Sequence, residues 1–309
     1  MLDYLASLPG AISLGLIWTI MALGVYITYK VLDIADLTVD GSFVTGGIVA
    51  AVLITSGVNF FLALLIAMLA GAVCGLITGL LHTLLGIPAI LAGILTQMAL
   101  WSINLIIGSS KSNISISNNS FDVLFSQANV SDALWKIGVI VAVFIVLLYV
   151  FFGTELGASI RATGNNQAMS RAQGINTKFN IVLGLMISNA LVALSGALLA
   201  QYQGFADINM GKGAIVIGLC AVVIGTAIVS KISTNFLVRL VGVAIGGVIY
   251  YIVFQTVVFI GVPTNLLKML AAIIVIIFLG IPYVRRTYGD AIKKHYLNKK
   301  IAKGEVKND

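Results

Sequence analysis

The chain has 309 residues, 60% of them hydrophobic and only 9% charged, with a formal net charge of +7. Ordinary globular domains carry about 25% charged residues, so this balance, with a mean hydropathy of +1.08, excludes a water-soluble domain. It fits an all-α, polytopic membrane protein whose basic residues sit in cytoplasmic loops; nucleic-acid binding is not needed to explain the charge, and the alternating strands of an outer-membrane barrel are absent.

The N-terminus, "MLDYLASLPGA", carries an aspartate and no basic segment. It does not resemble a cleaved signal peptide, so the first apolar run is expected to be retained as a helix. A spanning helix needs roughly 20 mostly apolar residues. In chain order, spans are predicted over 11–30, 60–81, 88–108, 134–152, 179–201, 213–230, 236–259 and 265–282. The run over 43–56 is too short alone. It reaches spanning length if its helix begins near Leu37, which draws Asp40 into the span and gives about nine spans in one transmembrane domain over 1–309. "DIADLTVDGSFVTGG" (33–47) then reads as the break and restart of a discontinuous helix, with Asp33 near the interface, Asp36 at the break and Asp40 at the helix start.

Lys and Arg set the orientation. With the C-terminus cytoplasmic, 14 basic residues fall inside, eight of them in the tail over 283–309, and only Lys111, Lys136, Lys212 and Lys268 fall outside. The N-terminus is then extracytoplasmic. The loop over 109–133 lies outside, is rich in Ser and Asn, and holds sequons at Asn113, Asn118 and Asn129. In a secretory pathway these are glycosylation acceptors; otherwise they reflect the loop's composition. The loop over 153–178 lies inside.

An internal repeat is also legible. "ALGVYITYKVLDIAD" (22–36) overlies "ALSGALLAQYQGFAD" (193–207), and "LGIP" (85–88) resembles "IGVP" (260–263). Each half runs long helix, Asp-containing break, glycine-containing helix, another helix, then a Gly-aliphatic-Pro turn opening a fourth. The halves are about 11–108 and 179–282, joined by a linking span at 134–152. Five spans separate their starts, so they are inverted. Broken helices in inverted repeats mark the pathway of a transporter.

The chain carries little catalytic chemistry. A P-loop needs GxxxxGK[ST]; around Gly211-Lys212 the preceding glycine, Gly204, is misplaced and Gly213 follows the lysine. "LSGALLAQ" (194–201) lies within a span and reads as small-residue helix packing. His82 and His295 sit at membrane edges, and with Cys74 and Cys220 they form no metal-ligand spacing. The chain is therefore not expected to be an enzyme or to bind a cofactor. An ion-coupled secondary carrier is the alternative that the inverted repeat allows, but it wants carboxylates deep in the bundle. The mid-span polar residues here are Gln97, Asn104, Ser188 and Asn189, with interhelical hydrogen bonds as their plainest role. Thr96-Gln97 is the pair expected to line a pathway.

The inner loop is the most specific feature. "SIRATGNNQAMSRAQGIN" (159–176) starts as a helix, breaks at Gly164-Asn165-Asn166, and resumes as a short helix from about Gln167 to Gln173 that Gly174 can end. It resembles the cytoplasmic coupling loop of the branched-chain amino acid and sugar permeases of ABC importers, in which an Arg-Ala pair, a Gly/Asn turn and a Gly-Ile recur. Here these are Arg161-Ala162, Gly164-Asn165-Asn166 and Gly174-Ile175. "DLTVDGSF" (36–43) is similar to the early motif of the tryptophan/tyrosine-type subgroup. The resemblance covers about residues 10–285 and leaves out the basic tail. Asp40 stands where the broader family commonly has a neutral residue or His, which leaves the solute class open.

The resemblance implies a plasma-membrane permease for a small amino-acid-like solute, dimeric in the membrane. It implies separate ABC ATPase subunits docking from the cytoplasm and using the ATP, and an extracytoplasmic solute-binding protein. With the two Asp-containing breaks and the Thr96-Gln97 pair, the expected substrate pathway runs along Asp36, Thr38, Asp40, Ser42, Thr96, Gln97, Asp207 and Asn209. The resemblance assigns ATPase coupling to Arg161, Gly164, Asn165, Asn166, Gln167, Met169, Arg171 and Gly174. For Asp40 two roles stay open: meeting a substrate ammonium group, or capping the helix that follows it.

Overall fold

The computed structural model describes residues 2–116, 123–229 and 235–261, with scattered positions between 266 and 280. Apart from those positions, the predicted span 265–282 lies outside the described residues, as do the tail over 283–309, Asn118, Lys231 and Lys268.

Ten α-helices carry the described chain: α1 (Leu2–Tyr26), α2 (Val39–Thr55), α3 (Phe60–Thr83), α4 (Ala89–Ile107), α5 (Val130–Gly153), α6 (Glu155–Asn165), α7 (Gln167–Ala172), α8 (Thr177–Gln203), α9 (Ala214–Val229) and α10 (Phe236–Phe259). A π-helical turn, Ile27–Val31, extends α1. Six of these helices are long and apolar enough to cross a membrane, while α2 and α9 are shorter apolar helices. The chain is a polytopic all-α membrane protein. The boundaries follow local chemistry. Asn59, Asn176 and Asn235 cap α3, α8 and α10 by accepting backbone N–H groups. Gly204 ends α8 in the left-handed region at φ 78°, where a residue without Cβ carries no steric cost.

Both halves run in the same order: a long helix, a non-helical break, a short helix, then a helix of 24 residues. The first break is residues 32–38 and the second is 204–213. The packing is exchanged between halves. α1 lies on α10 and α9, while α8 lies on α3 and α2. Two short strands, β1 (Asn113–Ser115) and β2 (Phe205–Asp207), pair antiparallel, with Asn113 opposite Asp207. This ribbon sits at the C-terminal end of α8; α6 and α7 sit at its N-terminal end. At 27 residues and about 1.5 Å per residue, α8 keeps the two well apart.

The centre of the bundle is α8, buried along most of its length. Small residues set its spacing, as expected where helices associate in lipid by close packing. A Cβ on Gly46 would strike the Ala193 carbonyl, and one on Gly196 the Phe43 carbonyl. Gly71 and Gly75 meet the Asn189 and Leu185 carbonyls in the same way. By contrast α3 and α5 turn Leu, Val, Ile and aromatic residues outward, the composition that lipid tails accept.

Candidate functional site

The first break is held by a closed polar network. Asp36 is 3% exposed; its carboxylate accepts the Thr38 backbone N–H at 2.9 Å and the Asn189 side-chain amide at 2.7 Å. The Asn189 carbonyl oxygen accepts the Ser42 hydroxyl at 2.6 Å. The Thr38 and Thr78 hydroxyls meet at 2.7 Å, and Thr78 donates to Thr96 at 3.0 Å. An unwound segment at membrane depth needs such partners, because hydrocarbon offers none. Of the predicted pathway residues, Asp36, Thr38, Ser42 and Thr96 belong to this network. Asn189, in α8, is its hub. Replacing Asn189 with Leu leaves the buried Asp36 carboxylate with only the Thr38 N–H and the Ser42 hydroxyl without its acceptor. The expected result is destabilisation of about 3 kcal/mol or more, read as a lowered unfolding temperature in detergent, with Asn189→Asp also harmful through like charge.

Asp40 does something the sequence alone does not show. It lies in the first turn of α2, and its carboxylate accepts the Gly213 N–H at 3.0 Å and the Ile215 N–H at 2.8 Å. These are the donors at the start of α9. Asp40 therefore caps the short helix of the other half, and α2 receives no side-chain cap at Thr38. An anionic group at a helix N-terminus satisfies free N–H groups and complements the dipole. The starts of both discontinuous helices thus meet at one carboxylate.

Beside that junction lies a cavity of about 340 Å³ between α2, α4 and the segment 208–212, lined among others by Asp40, Gln97, Trp101, Asn104 and Lys212. The pair Thr96-Gln97 is split: Gln97 faces the cavity, and Thr96 turns inward to Thr78 and the Ala92 carbonyl. Adjacent residues of a helix point about 100° apart, which lets Gln97 meet the cavity while Thr96 meets α3. Asp207 and Asn209 lie on the β1–β2 ribbon and its turn, where Asp207 accepts the Asn209 N–H at 2.7 Å; their neighbours Ile208, Gly211 and Lys212 line the cavity. Trp101 and Lys212 are additions. Their signal was partly available: Gln97, Trp101 and Asn104 follow the i, i+4, i+7 spacing of one helix face.

At the other end of α8, α6 stops at Asn165 and Asn166 caps α7 by accepting the Met169 N–H at 3.0 Å. Gly174 ends the segment at φ 81°, a left-handed position that suits glycine. Gln167, Met169 and Arg171 are exposed on α7, Met169 at 61%. Gly164 faces the body, while Arg161 is exposed at its edge. The Arg161 guanidinium stands 5.8 Å over the Phe236 ring, and with Lys30 and Arg239 it lines a polar cleft of about 520 Å³. A Cβ on Gly164 would strike the Val31 carbonyl, so α6 rests directly on the end of α1 where the break begins. Asn180 ties α6 to α8 by donating to Ser159 at 2.6 Å and Thr163 at 2.9 Å.

Comparison with known proteins gives this architecture its class. Residues 8–279 match the family described as branched-chain amino acid transport system / permease component. The chain belongs to this family. It is 38% identical over 265 residues to the tyrosine transport system permease protein of Clostridioides difficile, covering 86% of this chain and 88% of that one. It is 36% identical over 278 residues to an uncharacterized protein of Rickettsia prowazekii, covering 89% and 97%. It is 28% identical over 221 residues to the D-allose transport system permease protein of Escherichia coli, covering 69% and 64%. No solved structure matches the chain significantly. As the membrane-spanning permease subunit of an ABC importer, the protein is a transport component rather than an enzyme.

Proposed function

We propose that this permease imports a small amino-acid-like solute, of aromatic type, along a path gated where the two discontinuous helices meet at Asp40. The observation that carries this reading is the Asp40 junction, which joins α2 to the start of α9 beside a cavity of solute size. The similarity to a permease named for tyrosine supports the solute class. The halves 11–108 and 179–282 act as inverted repeats that rock against each other, and their exchanged packing supports this. The N-terminus is extracytoplasmic, the C-terminus cytoplasmic, and the host membrane the plasma membrane.

Separate ATPase subunits dock on the exposed face of α7 and hydrolyse the ATP. An extracytoplasmic binding protein delivers solute on the ribbon side. A second copy of the chain completes the transporter. Motion of α7 reaches the break through two rigid contacts, Asn180 on α6 and Gly164 on Val31, and from there the Asp36–Asn189 network carries it to α2. Reconstitution of the permease with its ATPase and binding protein tests the reading directly. ATP-dependent accumulation of L-tyrosine in proteoliposomes is expected; accumulation on an ion gradient with no ATPase present would overturn it.

The mechanical link makes its own prediction. Gly164→Val pushes α6 off the end of α1 while leaving the exposed face of α7 unchanged. ATPase binding and hydrolysis are expected to persist. Uptake per ATP hydrolysed should fall roughly 5- to 150-fold, the range of typical coupling energies. A variant with normal uptake per ATP would show that the signal travels another way.

A further inference from the structure

The cavity beside Asp40 holds an unmet polar group. Asn104 is 1% exposed and lines the cavity, and its side-chain carbonyl oxygen has no hydrogen-bond partner. An orphaned acceptor inside a membrane protein is costly; Asn104 Oδ1 is sealed behind the cavity wall, and a small turn of its side chain towards a bound donor would satisfy it. Lys212 lines the same space and makes no ion pair among the described residues. Trp101, 50% exposed, offers a broad ring face. Each Asp40 oxygen accepts one backbone N–H and keeps further lone-pair capacity. The volume, about 340 Å³, lies within the range of small-molecule sites, roughly 300–1,000 Å³.

We propose that this cavity is a recognition site for a zwitterionic amino acid with a planar side chain, built into the permease itself. The inference rests on the amino-acid reading above and adds that the permease, besides any binding protein, selects the solute. Lys212 takes the carboxylate as a charge-assisted pair. Asn104 Oδ1, with Asp40, takes the ammonium. Trp101 supplies the surface for the ring. Neutral polyols lack both charges and offer Lys212 no carboxylate and Asp40 no ammonium, so the same set discriminates against sugars.

The test uses full-length permease in nanodiscs without ATPase or binding protein, and equilibrium binding of radiolabelled L-tyrosine. Saturable binding is expected, weakened about tenfold or more by Lys212→Gln and by Asn104→Leu. L-Tyrosinamide, which lacks the carboxylate, should bind the wild type more weakly than L-tyrosine and lose nothing further on Lys212→Gln. Trp101→Ala should weaken L-tyrosine and leave L-alanine unchanged. Asn104→Leu removes an unsatisfied group, so its unfolding temperature should hold or rise, which separates lost recognition from lost folding. Absence of saturable L-tyrosine binding overturns the proposal, as do equal losses for tyrosine and tyrosinamide at Lys212 or equally tight binding of D-allose. If the reconstituted importer accumulates L-tyrosine normally with both Lys212→Gln and Asn104→Leu, this site falls and the amino-acid reading stands. If the wild-type importer accumulates no amino acid, the earlier reading itself falls.

Discussion

Replacing Gly46 with Leu is expected to abolish the folded permease. α2 approaches α8 so closely that a Cβ at Gly46 coincides with the Ala193 carbonyl, and one at Gly196 with the Phe43 carbonyl. The obstacle on each side is backbone, which cannot rotate away as a side chain does. Overpacking of ordinary cores costs about 1–3 kcal/mol. Here the only relief is separation of α2 from α8, which would also break the Ser42–Asn189 and Asp36–Asn189 hydrogen bonds. Loss of about 3 kcal/mol or more is expected, a large part of a typical stability of about 5–15 kcal/mol. Size-exclusion chromatography after detergent extraction should show aggregate in place of a monodisperse peak. Even Gly46→Ala should lower the unfolding temperature. Gly138→Ala is the control: α5 leaves open space there, and alanine favours helix over glycine by up to about 1 kcal/mol. A Gly46→Leu variant that extracts and melts like wild type would show that the α2–α8 contact is looser than the geometry states.

Replacing Asp40 is expected to have the largest effect on transport. Asp40→Ala leaves the Gly213 and Ile215 N–H groups without their acceptor, and loss of a helix N-terminal cap costs about 0.5–2 kcal/mol. The start of α9 should fray, and the two halves should lose the contact that holds their broken helices together. Asp40→Asn retains one acceptor oxygen and loses the charge that suits a helix N-terminus, so it should be intermediate. Uptake is expected to fall in the order wild type, Asn, Ala, with Ala reduced about tenfold or more, the equivalent of about 1.4 kcal/mol. Hydrogen exchange at the Gly213 and Ile215 amides supplies a readout independent of solute. It should rise most in Asp40→Ala. Protection unchanged in that variant would remove the capping role, and full uptake in both variants would remove the gating role as well.

The sequence reading and the structure agree where local chemistry decides the outcome. The predicted span 236–259 has the bounds of α10, and 60–81 and 88–108 differ from α3 and α4 by at most two residues at an end. The short helix after the Gly-Asn-Asn turn begins at Gln167 because Asn166 accepts the Met169 N–H, a capping preference carried by residue type and spacing. At the first break, a helix start near Leu37 lies two residues from the observed Val39, with Thr38 at the cap position.

Other features depend on contacts between distant parts of the chain. Four predicted pathway residues, Asp36, Thr38, Ser42 and Thr96, are tied together through hydrogen bonds that include Thr78 and Asn189, because a buried unwound segment must satisfy its own polar groups. The sequence allows Asp40 to cap its own helix or to meet the solute; its partners in the structure, Gly213 and Ile215, lie on the far half of the chain. Arg161, expected to serve ATPase coupling, is exposed and also stands over Phe236 at the cleft beside α6.

By itself, then, the sequence determined the class of molecule, the placement of nearly every described helix and the exposed α7 hinge. Hydropathy, caps and glycine turns act over a few neighbouring residues, and their signal survives without a partner in view. Only the tertiary structure decided which polar residues close the break and which face the cavity. That choice depends on where α8 and the start of α9 come to lie against α2, on backbone approaches that Gly46 and Gly196 permit. No local pattern around Asp36 or Asp40 records those distant partners.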